Sequence, residues 1–162
     1  MTKLTRTLIA ATIMLSAACA LAQTDAEKAF TAIKNMPGTW EGTSVEGPVT
    51  VTFKVTSGGS AVMSEILGKE DMISMFHMDN DRLLLTHYCA VGNQPRMQAA
   101  LSPNGKVITF TYVDATNLAT PDAAHMQQMI LTVIDDNHHT EEWVFAGQGK
   151  EHRVLFDLHR KA

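Results

Sequence analysis

The sequence is poor in cysteine, with only Cys19 and Cys89 in 162 residues. If the N-terminal stretch that holds Cys19 is removed, Cys89 stands alone and no intrachain disulfide can form. Stability then has to come from a buried core, which a chain of this length can build. Runs of lysine and arginine are also missing: 13 basic residues are scattered among 17 acidic ones and the formal net charge is −4. That pattern argues against nucleic acid and anionic membrane surfaces as partners. No nucleophile elbow, phosphate loop or dinucleotide fingerprint occurs. No catalytic constellation stands out, so a binding protein is expected rather than an enzyme. No internal repeat, linker or low-complexity segment is found, and one domain is expected.

What is present begins with a leader. Lys3 and Arg6 precede an apolar run over 8–18, and Ala20-Leu21-Ala22 offers a small-x-small cleavage site before Gln23. This order describes a secretory signal peptide over 1–22, with an apolar run too short to span a membrane. The rival is a lipoprotein anchored at Cys19, although Ser16-Ala17-Ala18 lacks the larger aliphatic residue usual upstream of a lipidated cysteine. A periplasmic or secreted location is therefore expected, with no transmembrane segment left after cleavage. Removal of the leader also takes away Lys3 and Arg6 but no acidic residue, leaving the chain more negative.

Over 23–37 the pattern is helical. Thr24-Asp25-Ala26-Glu27 fits a capping box, Ala26, Phe30, Ile33 and Met36 share a face, and Pro37-Gly38 stops the turn. From 38 to 162 the period is two. Strands are expected near 38–43, 49–55, 61–67, 72–78, 83–91, 96–101, 107–113, 129–134, 141–145 and 154–158, with one long loop over 114–125. Short turns make neighbours antiparallel, and an up-and-down sheet of about ten strands closes to remove its edges. The expected fold is all-β: an antiparallel barrel of about ten strands with one N-terminal helix covering an end. Closed barrels of this size can hold one small ligand.

The most unusual stretch is Thr86-His87-Tyr88-Cys89-Ala90-Val91-Gly92-Asn93-Gln94-Pro95-Arg96. Alternation puts Leu83, Leu85, His87, Cys89 and Val91 on the inward face, with His87 and Cys89 about 7 Å apart. They would form a polar spot on an apolar wall; the bland alternative is a hydrogen-bonded core histidine and an inert thiol. Tyr88 falls on the other face of the same strand. Asn93 and Arg96 are candidates for a polar rim, Arg96 as a partner for an anionic group. Asn93 is explained equally well as turn chemistry. His125, ending the long loop, is placed to reach over the barrel mouth. His77 falls short of His87 across the preceding turn, and His138, His139, His152 and His159 read as turn or outer-face residues. The methionines suit either an adaptable cavity or ordinary core filling. No metal-ligand set is expected.

A helix followed by Gly38-Thr39-Trp40 and a ten-stranded meander resembles the lipocalin-like, or calycin, barrels. That resemblance implies that Trp40 closes the base of the barrel. Thr86-His87-Tyr88-Cys89, Gly92-Asn93-Gln94-Pro95-Arg96 and Asp114-Ala115-Thr116-Asn117-Leu118 also resemble a bacterial family of small exported lipocalin-like proteins of unassigned function. The alternating meander with His87 and Cys89 on its inward face points to binding of a small hydrophobic or amphipathic molecule inside the barrel, through His87, Cys89, Arg96, Tyr88, Asn93 and His125, with no cofactor expected. A more distant resemblance, to nitrobindin-type barrels, implies haem as the alternative, with a C-terminal histidine as ligand. A third role is a packed barrel acting as an envelope interaction protein. Of the two C-terminal histidines, His159 falls on an outward-facing register, which departs from the haem pattern.

Overall fold

The computed structural model describes residues 22–147 and 149–162. The leader expected over 1–22, and with it Cys19, lies outside the described residues apart from Ala22. Among the described residues no helix is long and apolar enough to cross a membrane.

The helix α1 spans Asp25–Lys34. Its capping box forms as the sequence indicates: Glu27 N donates to Thr24 Oγ1 at 3.2 Å, and Thr24 N donates to Glu27 Oε2 at 2.8 Å. Asp25 and Glu27 in the first turn and Lys34 in the last complement the helix dipole. Ala29, Phe30 and Ile33 are buried, and the helix lies against the strands over Met72–Asp79, Arg82–Tyr88 and Gln94–Leu101. The chain leaves the helix through Pro37 into Gly38, whose φ of +126° is one that a side chain would resist.

Ten strands follow: β1 Gly38–Ser44, β2 Gly47–Thr56, β3 Ala61–Leu67, β4 Met72–Asp79, β5 Arg82–Tyr88, β6 Gln94–Leu101, β7 Val107–Thr116, β8 His125–Asp135, β9 His138–Gly147 and β10 Lys150–Arg160. Each pairs antiparallel with its neighbour in sequence, and β1 pairs with β10 to close the barrel. The midsection is filled by Phe76, Leu83, Leu85, Met97, Ile108, Phe110, Met129, Leu131 and Leu158, all fully buried. Phe76 packs edge-on to Phe110 with ring centroids 5.4 Å apart. Met97 and Met129 are therefore core filling. Because the middle is occupied by side chains, the room found for a ligand lies toward the ends of the barrel.

Several strand boundaries differ from the sequence reading: β8, β9 and β10 each begin three or four residues earlier than expected, and two further differences bear on the stretch singled out above. The strand expected over 83–91 stops at Tyr88, because Cys89 N donates to Asn93 O and Gly92 N donates to Cys89 O, closing a turn. Val91, expected inward, is consequently 58% exposed. The long loop is shorter than expected: β7 continues to Thr116 and takes Asp114 with it, leaving residues 117–124. The extension is held by the Arg96–Asp114 and Pro95–Ala115 pairings of β6 and β7, which no local pattern announces.

The closing seam depends on a glycine. A Cβ built on Gly42 would lie 1.8 Å from the Asp157 carbonyl oxygen of β10. Gly42→Ala must push β1 away from β10, and an overpacking loss of about 1–3 kcal/mol is expected in urea unfolding. An alanine variant with the wild-type midpoint would show that the seam does not need this close approach.

Candidate functional site: the open end of the barrel

The strands run between two unlike ends. One is covered by α1. There Trp40 is buried, donates from Nε1 to Met36 O at 3.0 Å, and carries the Arg160 guanidinium over its ring at 4.2 Å. Arg160 Nη1 also donates to Pro37 O at 2.7 Å, fastening the last strand to the helix–β1 junction. Trp40 thus sits at the helix-covered base, with its edge against the His139 ring, centroids 4.3 Å apart.

The other end is open and bears a cleft of about 240 Å³. Its walls are Ile66, Met72, Met126, Trp143, Phe145, Val154 and Phe156, with Cys89 and Val91 on one side and Glu46, Glu70 and His152 as the polar members. These residues come from the ends of several strands and the turns between them, brought together only by closure of the barrel. A second depression, about 160 Å³, shares Glu46, Ile66, Glu70, Met72 and Phe156 and extends the opening toward Ser44 and Lys69.

The stretch singled out in the sequence divides at this end. Cys89 reaches the cleft. Burial pushes its thiol up, and the Glu70 charge adds to this against the backbone N–H groups of Val91 and Ala90. A thiol held protonated is a poor nucleophile and a good apolar wall. His87 lies deeper and is fully buried; its Nδ1 is 2.9 Å from Ser74 Oγ and its ring rests on Trp143 at 4.8 Å. Burial lowers its pKa to about 4, and its Nε2 has no hydrogen-bond partner among the described residues. Trp143 therefore stands between His87 and the cleft.

The other candidates are placed elsewhere. Tyr88 points outward and is 45% exposed. Arg96 is on the outer surface with both carboxylate oxygens of Asp114, Nε at 2.6 Å from Oδ1. This pairing raises the guanidinium and holds the Asp114 carboxyl below its ordinary range. Asn93 is buried and ties two turns together, donating from Nδ2 to Ala124 O at 3.0 Å. His125 is also buried, its Nδ1 2.6 Å from Ala123 O and its ring 4.4 Å from Tyr112, away from the cleft lining. His77 faces Leu84 across β4 and β5, well short of His87.

The largest departure is in β9. Expected as a turn or outer-face residue, His139 is buried, because β9 begins at His138 and alternation then carries His139, Glu141, Trp143 and Phe145 inward. Glu141 is fully buried: Trp143 Nε1 donates to its Oε2 at 3.0 Å, and His139 Nε2 is 3.3 Å from its Oε1. A polar thread runs along the inside of the barrel from Trp40 and His139 through Glu141 and Trp143 to His87 and Ser74. The signal was available in the spacing His-x-Glu-x-Trp-x-Phe, which only an inward register satisfies with both aromatics. His138 and His159 do lie outside, with stacked rings 4.1 Å apart beside Asp157.

The fold and the cleft define a closed antiparallel barrel of ten strands, covered at one end by a helix and open at the other. No family model and no curated protein matches the sequence. Among solved structures the chain is similar to Rv2717c from M. tuberculosis, known from a crystal structure, with a TM-score of 0.57 and 16% identity over 83% of this chain and 98% of that one. The likeness is one of fold.

Proposed function

We propose that this protein is an extracytoplasmic carrier or sensor that binds a small, mainly apolar molecule in the cleft at the open end of the barrel. The observation that carries the reading is the cleft itself: a wall of Met72, Met126, Trp143, Phe145 and Phe156 with few polar members. Apolar sites with a small number of polar groups are the usual form of small-molecule pockets, and a volume near 240 Å³ suits a ligand below drug size. Methionines at the wall allow it to fit more than one shape. The leader in the sequence supports an extracytoplasmic setting.

Trp143 supplies the test. In a Trp40→Phe background it is the remaining tryptophan, and an apolar ligand in the cleft changes its emission. Titration with an environment-sensitive apolar dye is expected to saturate. Met126→Arg, which puts a charge on the wall, is expected to weaken binding at least about tenfold, an effect of roughly 1.4 kcal/mol, with an unchanged circular dichroism spectrum. A titration that never saturates, or one that Met126→Arg leaves untouched, would overturn the proposal.

A second reading, haem binding, is favoured by one observation: His152 lines the cleft on the inward-facing register of β10, whereas His159 is outside. One imidazole is available, with Glu46 Oε1 3.8 Å from its Nε2 and apolar side chains beside it, but a cleft of about 240 Å³ takes only an edge of a haem and leaves the rest of the ring outside. Bound haem would supply redox or nitrogen-oxide chemistry. Haemin added in the same titration would then give a Soret band that disappears in His152→Ala.

A further inference from the structure

We propose that His138, Asp157 and His159 form a binding site for a divalent transition-metal ion on the outer wall of the barrel, at the end opposite the cleft. The three side chains come from the cross-strand contact of β9 and β10, where His159 is the direct partner of His138 and Asp157 lies two residues before His159 on the same face. One ligand atom from each of the three lies within 4.8 Å of the others. Both imidazoles address the same carboxylate oxygen, Oδ1 of Asp157, from 2.7 Å for His138 Nε2 and 3.7 Å for His159 Nε2.

Bonds of about 2.0–2.2 Å in a tetrahedral ion place its donors about 3.3 Å apart. The observed spacings bracket that value, so small rotations of partly exposed side chains complete the set without moving the strands. The cross-strand pairing sets the two imidazoles side by side, and their rings, stacked at 4.1 Å and 21°, have to turn out of the stack to converge on one ion. Two nitrogen donors and one carboxylate select zinc(II), nickel(II) or copper(II) over calcium and magnesium, which take oxygen. Three protein donors leave a fourth position for water or an outside ligand. On the far side of His159, its β1 partner Glu41 is held by Lys161 Nζ at 2.6 Å and stays out of the set.

The test is calorimetric titration of the untagged full-length protein with zinc(II), followed by electron paramagnetic resonance with copper(II). One equivalent of zinc is expected to bind with micromolar affinity. The double variant His138→Ala/His159→Ala is expected to lose at least about tenfold in affinity, no less than the usual cost of disturbing a ligand's outer partners. His77→Ala, on β4 opposite Leu84 and outside the cluster, serves as the control and is expected to bind like the wild type. The copper spectrum is expected to show splitting from two nitrogens, reduced to one in His159→Ala. Absence of stoichiometric binding by the wild type, equal binding by the double variant, or a copper spectrum unchanged in His159→Ala would each overturn the site.

Discussion

Glu141→Leu is expected to cost about 2–6 kcal/mol of folding stability, because two buried neighbours lose their hydrogen-bond partner. Glu141 is fully buried and accepts from Trp143 Nε1, and His139 Nε2 lies 3.3 Å from its other oxygen. Leucine fills a similar space but takes the acceptor away from both neighbours. Each buried donor left without a partner costs about 1–3 kcal/mol. Glutamine keeps an acceptor for the indole and presents an amide to His139. His139 can meet that amide with the other tautomer, because its Nδ1 is engaged by no partner among the described residues. Glu141→Gln should therefore lose less than half as much. Urea unfolding of the two variants beside the wild type checks this. If leucine proves as stable as glutamate, the interior thread is dispensable and apolar packing serves equally well there.

Acid should destabilise the protein through His87, beginning above the range where carboxylates titrate. Its pKa falls from 6.5 to about 4 in the fold because burial penalises the imidazolium. Between those values the unfolded chain binds a proton that the native state refuses, so stability rises with pH. The contribution is fully present above 6.5 and is lost as pH drops toward 4; it amounts to about 3 kcal/mol at roughly 1.4 kcal/mol per pH unit. Comparing unfolding free energies at pH 7.5 and pH 4.5 should show most of this loss in the wild type. The double variant Ser74→Ala/His87→Leu removes the titrating ring together with its hydroxyl partner. It should show a pH slope smaller by about one proton in that window. An unaltered slope would assign the acid sensitivity to other groups.

Most of the barrel could be read from period and turn length, since strict alternation admits one buried face and short turns admit antiparallel neighbours. The helix start was equally plain, because a capping box is a contact between residues three apart. Errors fall where local pattern and residue type disagreed. His139 has the parity of Trp143 and Phe145 but was read as a turn or outer-face residue; it is buried because β9 begins at His138 and the buried Glu141 lies beside it. Arg96 was read as an anion partner for a ligand, whereas the anion is Asp114 on the next strand. The cluster on β9 and β10 could have been found from the hairpin. With Gly147 opposite Lys150, the count down the ladder brings His138 opposite His159.

The sequence by itself determined the class of fold, the capped helix and the inward placement of His87 and Cys89, because these follow from interactions between near neighbours and from a two-residue period. Tertiary structure alone decided that the midsection is filled and that the cleft forms at the open end. It also decided that Trp143 lies between that cleft and His87. Those features depend on side chains from strands far apart in the chain meeting across a closed barrel. Their volumes and hydrogen-bond partners become defined only once register and closure have fixed which of them face each other.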